Sequence, residues 1–315
     1  MADVLPDVRP IGAAPAWVRL AAKAIPHLPA GRYRVTRWMT GSAPFLMRVP
    51  DHAGAFVYRC DLLDVVAREV CFTGRYEPQE TAIATSILSS GMTFVDVGAN
   101  WGYFTLLASR LVGPGGRVVA IEPESRLFSE LNDNVRRNGF TNVETVRAAA
   151  WDTHARVILD TPAAAIGNSG LTRVAAVASV HDRGIEAVRL DAVIERAGVH
   201  QVDLLKMDVE GAEGPALRGL ECALRSHRIK RMLLELHPAY SAAFNVSTET
   251  ISAMLRSVGY RGWDIDHSLD ATKRFAYGQC SVAALLRPHT DTAMSGWPHT
   301  LWLAPGVELP DLTEQ

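Results

Sequence analysis

Two groups of residues have the types and spacing to do chemistry. The first opens with Asp96-Val97-Gly98-Ala99-Asn100-Trp101-Gly102, an apolar run that turns on two glycines and leads into Tyr103-Phe104-Thr105. Glycines there let the backbone turn sharply and approach a ligand at the start of a helix. Dinucleotide-dependent oxidoreductases use the same strand–loop–helix device. Asp96 weighs against that reading, because a carboxylate at the strand end repels a pyrophosphate and suits a ligand with an ammonium or sulfonium group. Asn100 also stands where the dinucleotide fingerprint has its second glycine. Glu122 closes the next apolar run, 20 residues beyond Gly102, and can accept two hydrogen bonds from a ribose diol. A helix N-cap contact is its structural alternative. Asp152, after Ala148-Ala149-Ala150-Trp151, can accept an adenine amino group, with the alanines leaving room for the ring. Its alternative is a plain exposed acid. Three acids in register with one glycine loop describe a pocket for a nucleoside joined to an amino acid.

The second group is Lys206, Asp208, Glu235 and His237. Alternation puts Leu204, Lys206 and Asp208 on one strand face, and Leu233, Glu235 and His237 on one face of another. If these strands are neighbours, Lys206 meets Glu235 and Asp208 meets His237. A charge buried in a central strand needs a partner. Three readings stay open: a structural ion-pair network, proton transfer by His237 or Asp208, and a divalent metal held by Asp208, Glu235 and His237. Glu210 and Glu213 follow closely. Glu213 reads best as a first-turn acid favoured by the helix dipole ahead of Pro215. No G-x-S-x-G nucleophile elbow occurs.

The elements that must position these residues alternate cleanly after Gly91. Strands are expected at Thr93–Val97, Arg117–Ile121, Val143–Ala148, Val202–Met207 and Arg231–Leu236. Helices are expected at Tyr103–Leu111, Ser125–Asn138 and Asp191–Arg196, with a turn at residues 113–116. Short continuous apolar runs separated by helices predict a doubly wound, mostly parallel α/β sheet covered on both faces. Cys280–Leu286 and Thr300–Leu303 read as a late antiparallel pair. Upstream, Phe45–Val49 and Ala55–Cys60 read as a hairpin turning at Asp51, His52 and Gly54, and Glu80–Ser89 as a helix. Ala14–Ala30 reads as an amphipathic helix packed on the domain. Residues 1–74 therefore form an N-terminal cap and 75–315 the main domain. Within it, an insertion at about 153–200 holds Val157–Leu159, Asn168-Ser169-Gly170 and Leu171–Val174, and is long enough to shape a second-substrate pocket. Trp263, Trp297 and Trp302 are candidate sugar-stacking faces, with core packing as the alternative.

Composition narrows the class. The 315 residues carry a formal charge of −2 and no run of five like charges, which argues against a nucleic-acid partner. The four cysteines, Cys60, Cys71, Cys222 and Cys280, lack metal or disulfide spacing and fit reduced thiols in a cytoplasmic protein. No apolar stretch reaches the roughly 18 residues of a membrane span.

The stretch Phe94–Thr105 resembles the cofactor motif of FkbM-type methyltransferases. So do Ile121-Glu122-Pro123, Asp203-Leu204-Leu205-Lys206-Met207-Asp208-Val209-Glu210-Gly211-Ala212-Glu213, Tyr76-Glu77-Pro78 and Leu190–Ile194. The likeness covers roughly residues 74 to 238. It implies a class I, Rossmann-like methyltransferase with a seven-stranded sheet, using S-adenosylmethionine on a hydroxyl of a sugar, glycan or natural-product acceptor. By this resemblance Asp96, Gly98, Asn100 and Gly102 line the methionine side, Glu122 the ribose and Asp152 the adenine. Methylation of an amine, a nicotinamide-dependent oxidoreductase and a catalytically silent binding module are the alternatives. A homo-oligomer is compatible with the sequence.

Overall fold

Strand alternation divides the apolar residues between two faces, and each face acquires its own helices. The structure, a computed structural model, describes residues 11–28, 35–41, 43–49, 56–161, 171–177, 184–290 and 296–312. Strands β1 (Phe45–Val49) and β2 (Phe56–Cys60) pair as an antiparallel hairpin. The expected turn residues Asp51, His52 and Gly54 lie outside the described residues, as do Ala55 and Asn168-Ser169-Gly170. Next come β3 (Thr93–Val97), β4 (Arg117–Ile121) and β5 (Val143–Val146). The chain then forms β6 (Ala149–Trp151), β7 (Ala155–Asp160), β8 (Arg173–Val177) and β9 (Ile185–Arg189). The remaining strands are β10 (Leu204–Met207), β11 (Arg231–Glu235), β12 (Arg261–Ile265), β13 (Leu286–Pro288) and β14 (His299–Leu303).

The large sheet runs β13-β12-β14-β11-β10-β3-β4-β5. Strands β5, β4, β3, β10 and β11 are parallel, while β14 lies antiparallel between β11 and β12. This is the class I methyltransferase sheet of seven strands, with β13 added as an eighth at the edge. Connections from β3 run toward β4 and β5 on one side and those around β10 and β11 on the other. The strand order therefore reverses between β3 and β10, where a ligand crevice opens at the strand C-termini.

Val95, Val97, Val119, Ile121, Leu205, Met207 and Leu234 share one face and pack on the helices Leu190–Arg196, Glu213–Arg218 and Thr248–Ser257. Phe94, Val118, Ala120, Leu204 and Leu233 share the other and pack on Tyr103–Val112 and Pro78–Ile87. Each such fully buried side chain contributes roughly 1.5–3 kcal/mol. The N-terminal segment joins this second core through Val18, Phe45, Phe56 and Val70.

Several expectations change. Cys280–Leu286 is not a strand: Val282–Leu285 forms a 3-10 turn, and Leu286–Pro288 pairs with β12 rather than with β14. Strand β12 escaped notice because Arg261, Gly262 and Asp264 break its apolar pattern. The expected strand Val143–Ala148 stops at Val146, and the chain crosses into a second sheet of order β6-β9-β7-β8. The insertion is thus a small sheet with its own apolar cluster around Trp151, Val157 and Ala187. The N-terminal helix covers Ala16–Ala24, shorter than expected, and passes into a 3-10 turn containing Pro26.

Candidate active site

The loop after β3 is shaped by its contact with β10. Gly98 has φ +85°, and a Cβ there would sit 1.8 Å from the Asp208 carbonyl oxygen. Only glycine satisfies both conditions. The five amides from 98 to 102 are all used inside the protein. Gly98 and Ala99 donate to the Ile121 carbonyl, each at 2.9 Å, and Gly102 donates to Ala99 at 2.8 Å. Asn100 donates to Glu122 Oε2 at 2.8 Å, and Trp101 to Asn100 Oδ1 at 2.7 Å. A loop with its amides consumed cannot wrap a pyrophosphate, which requires free N–H groups. Gly102 (φ +90°) lies outside both cavities described below and serves the turn, since a Cβ there would meet Leu131 Cδ1 at 2.5 Å.

Two cavities adjoin at Gly98, Asn100, Asp208 and Glu210. The first, of about 580 Å³, is lined by Glu122, Ile121 and Ala148–Ala150, with Leu159 and Thr172–Val174 contributed by the insertion. Glu122 is 4% exposed, and its Oε1 accepts from the Glu124 amide at 2.9 Å. Burial raises its pKa to about 7 against those amide bonds. Asp152 does not line the cavity. Its carboxylate, expected to meet an adenine amino group, pairs with Arg218 Nε at 3.1 Å. The alanines before it remain at the pocket wall, and the chain turns outward after Trp151 toward Arg218 and Arg189.

The second cavity, of about 640 Å³, is lined by Asp96, Lys206 and Glu235, by Tyr58 and Val66 from the N-terminal segment, and by Trp297. Asp96 accepts a hydrogen bond from the Thr105 hydroxyl at 2.6 Å, and burial raises its pKa. Lys206 reaches Glu77 Oε2 at 3.2 Å and Asp208 Oδ2 at 3.8 Å. Glu77, not Glu235, is therefore its partner. The register sets Lys206 opposite Leu233, leaving Glu235 two residues further along β11. Burial works against the charge on Lys206, but Glu77, Asp208 and Glu235 outweigh it and hold the ammonium.

His237 sits among four carboxylates. Its Nδ1 lies 2.9 Å from Glu213 Oε1, and its Nε2 lies 3.4 Å from Glu210, 3.5 Å from Glu235 and 3.9 Å from Asp208. Burial alone would lower its pKa; the bonds to Glu213 and Glu235 and the charge of Asp208 raise it to about 11. These acids favour the imidazolium, which has no lone pair with which to take a proton. The meeting with Asp208 occurs as expected, but the suitability of His237 as a base does not survive its surroundings. Glu213 is fully buried and does more than complement a helix dipole: it also accepts from the Gly211 amide at 3.0 Å and the Ser241 hydroxyl at 3.2 Å.

The acids around it divide by charge. Burial and the nearby Glu235 raise Asp208 to about 7, and its Oδ1 has no hydrogen-bond partner among the described residues. Glu77 and Glu210 rise to about 7 chiefly by burial, and both adopt positive φ (+43° and +51°). Glu235 goes the other way: burial would raise it, but His299, His237 and Lys206 hold it ionised at about 2. Ligand atoms of Asp208, Glu210 and His237, and of Glu77, Asp208 and Glu235, lie within 4.8 Å of one another. The expected trio Asp208, Glu235 and His237 is thus split between two sets. A cation at the first would need His237 deprotonated against four carboxylates.

Sequence reasoning gave no role to Glu77 or to Glu80. Glu80, 2% exposed, lies 2.6 Å from His267 and 3.0 Å from His299. The histidine rings stack with centroids 3.7 Å apart, too close to radiate from one shared metal ion. An acid inside a helix whose neighbours Gln79, Thr81 and Ile83 are buried was the available signal. Its partners lie 187 and 219 positions away, beyond any spacing rule. Of the three tryptophans, Trp297 lines the cavity, Trp302 is fully buried and Trp263 packs against the core.

Residues 96–261, more than half of the chain, match the family model described as the methyltransferase FkbM domain. The chain belongs to the FkbM methyltransferase family. It is 30% identical over 199 residues to 31-O-demethyl-FK506 methyltransferase FkbM of Streptomyces tacrolimicus, spanning 55% of this chain and 74% of that protein. It is 26% identical over 208 residues to the AMB antimetabolite synthetase AmbE of Pseudomonas aeruginosa, spanning 55% of this chain and 10% of that one. With methyltransferase 1 of Beauveria bassiana it shares 31% identity over 144 residues, 40% of this chain and 57% of the other. The chain therefore spans less than two thirds of the latter two relatives. A solved methyltransferase FkbM from Methylobacillus flagellatus KT aligns with TM-score 0.41 and 16% identity, over 86% of this chain and 57% of that one. Gly98, Asn100, Asp208 and Glu210, where the two cavities meet, all fall within the matched residues. No helix among the described residues is long and apolar enough to cross a membrane.

Proposed function

We propose that this FkbM-family chain transfers the methyl group of S-adenosylmethionine to a hydroxyl oxygen of a small, glycan or natural-product acceptor, with Asp208 as the base. The observation that carries this reading is that Asp208 lines both cavities and its Oδ1 has no hydrogen-bond partner among the described residues. Glu122 and Ala148–Ala150 suit the adenosine, Asp96, Gly98 and Asn100 the methionyl part, and the end lined by Tyr76 and Trp297 the acceptor. The crowd of acids around the junction favours a cationic sulfonium there.

The bound S-adenosylmethionine supplies an electrophilic methyl group and takes back the electron pair of its carbon–sulfur bond. Asp208 accepts the hydroxyl proton as the oxygen lone pair forms the new bond. Lys206 and the His237 imidazolium keep Asp208 in place and limit how far its pKa rises. Glu235, ionised beside His237, and Glu213 behind it hold that ring. No step calls on a divalent metal. Oxygen is favoured over nitrogen because this acidic site would keep an amine as ammonium, without a lone pair. The name of the FK506-related relative, which points to an O-demethyl acceptor, supports the same atom.

Calorimetric titration with S-adenosylhomocysteine, with NAD as control, tests the reading. Binding of the first and not the second is expected; failure of S-adenosylhomocysteine to bind overturns it.

A further inference from the structure

Tyr58, on β2, is fully buried, and its hydroxyl has no hydrogen-bond partner among the described residues. Buried polar groups are normally paired, so an orphan on a cavity wall invites a ligand to complete it. Tyr58 lines the second cavity together with Asp96, Ala99 and Tyr103. Phe56 packs edge-on against both Tyr58 and Tyr103, with centroids 6.3 and 5.9 Å away, which sets the phenol beside the helix that the glycine loop opens.

Asn100, Trp101, Tyr76, Tyr103 and Trp297 also line the cavity, but among these donors only the Tyr58 hydroxyl is a buried atom without a hydrogen-bond partner among the described residues. The amides of residues 98 to 102 are spent on Ile121, Glu122 and the loop itself. Lys206 is held by Glu77 and Asp208, and Asp96, Asp208, Glu210 and Glu235 repel an anion. An amino-acid tail brings both an ammonium, which those acids welcome, and a carboxylate, which needs a donor away from them. We infer that the Tyr58 hydroxyl, supplied by the N-terminal hairpin, donates a hydrogen bond to the carboxylate of the methionyl tail of the bound cofactor. This rests on the cofactor assignment proposed above. It makes the hairpin part of the cofactor site as well as a cap over the acceptor.

The test compares wild-type protein with Tyr58→Phe, which removes one oxygen and keeps the ring. Each is titrated calorimetrically with S-adenosylhomocysteine and with 5′-methylthioadenosine, which has the nucleoside and thioether but no amino-acid tail. Tyr58→Phe should weaken S-adenosylhomocysteine about tenfold, the loss expected for a hydrogen bond to a charged group. It should leave 5′-methylthioadenosine unchanged and the melting temperature equal or higher. Equal S-adenosylhomocysteine affinity in both proteins overturns the inference, as does an equal loss with 5′-methylthioadenosine. Wild-type protein that binds neither ligand overturns the cofactor assignment and this inference with it.

Discussion

Asp208 and His237 divide between them the roles that the sequence left open. A histidine near carboxylates looks like a base when only its type is known, but four acids around one ring turn it into a fixed cation. In the proposed reaction the proton-taking role passes to Asp208, the acid that this cation faces. Asp208→Asn should lower turnover by about 10²- to 10⁴-fold, the usual worth of a general base, with little change in S-adenosylhomocysteine affinity. In wild-type protein kcat/KM should rise with pH through about 7 as Asp208 loses its proton. A profile flat across that region would remove Asp208 from the role. His237→Gln takes away a positive charge that lowers the Asp208 pKa, so the rising limb should move to higher pH. A variant that lowers turnover without moving the limb would show His237 acting through packing alone.

At the scale of elements, the strand–loop–helix after β3 is the most demanding. Gly98→Ala should abolish measurable S-adenosylhomocysteine binding and lower the melting temperature, because the new methyl meets the Asp208 carbonyl and a positive φ costs on the order of 1–3 kcal/mol. Gly139→Ala provides the control: φ is +66° but nothing lies within 4 Å of the added carbon, so only the backbone strain should appear and binding should persist. The parallel strands, the glycine loop and Glu122 were legible in the sequence, because continuous apolar runs and glycine spacing are local signals. The Asp152–Arg218 pair was not legible, because an acid's reach depends on where the chain turns next, and β6 carries Asp152 to Arg218. Strand β12 was hidden by its polar edge residues, and the Lys206–Glu77 pair by a separation of 129 sequence positions and an offset register. Pairings across a sheet depend on register, which residue types do not reveal.

For the whole molecule, the acid cluster ties stability to pH. Glu77, Asp208 and Glu210 bind protons more tightly folded than unfolded, rising from ordinary values of 4.5, 3.8 and 4.5 to about 7. Their contribution is full below the unfolded values and is lost as pH rises toward 7. His237 adds in the same direction, with stability lost from its ordinary 6.5 up to about 11. Glu235, lowered from 4.5 to about 2, acts oppositely and loses its contribution as pH falls through that range. Scanning calorimetry of the ligand-free protein should therefore show the melting temperature falling from about pH 5 to pH 8; a rise over that interval would contradict the charge assignments. The contact of Gly98 with the Asp208 carbonyl has a wider consequence. It fixes the spacing between the glycine loop and the backbone that carries Asp208 as a dimension of the main chain. The hairpin and the small inserted sheet border the cavities from outside that gauge. Either can drift in sequence while the loop and the Asp208 backbone keep their spacing.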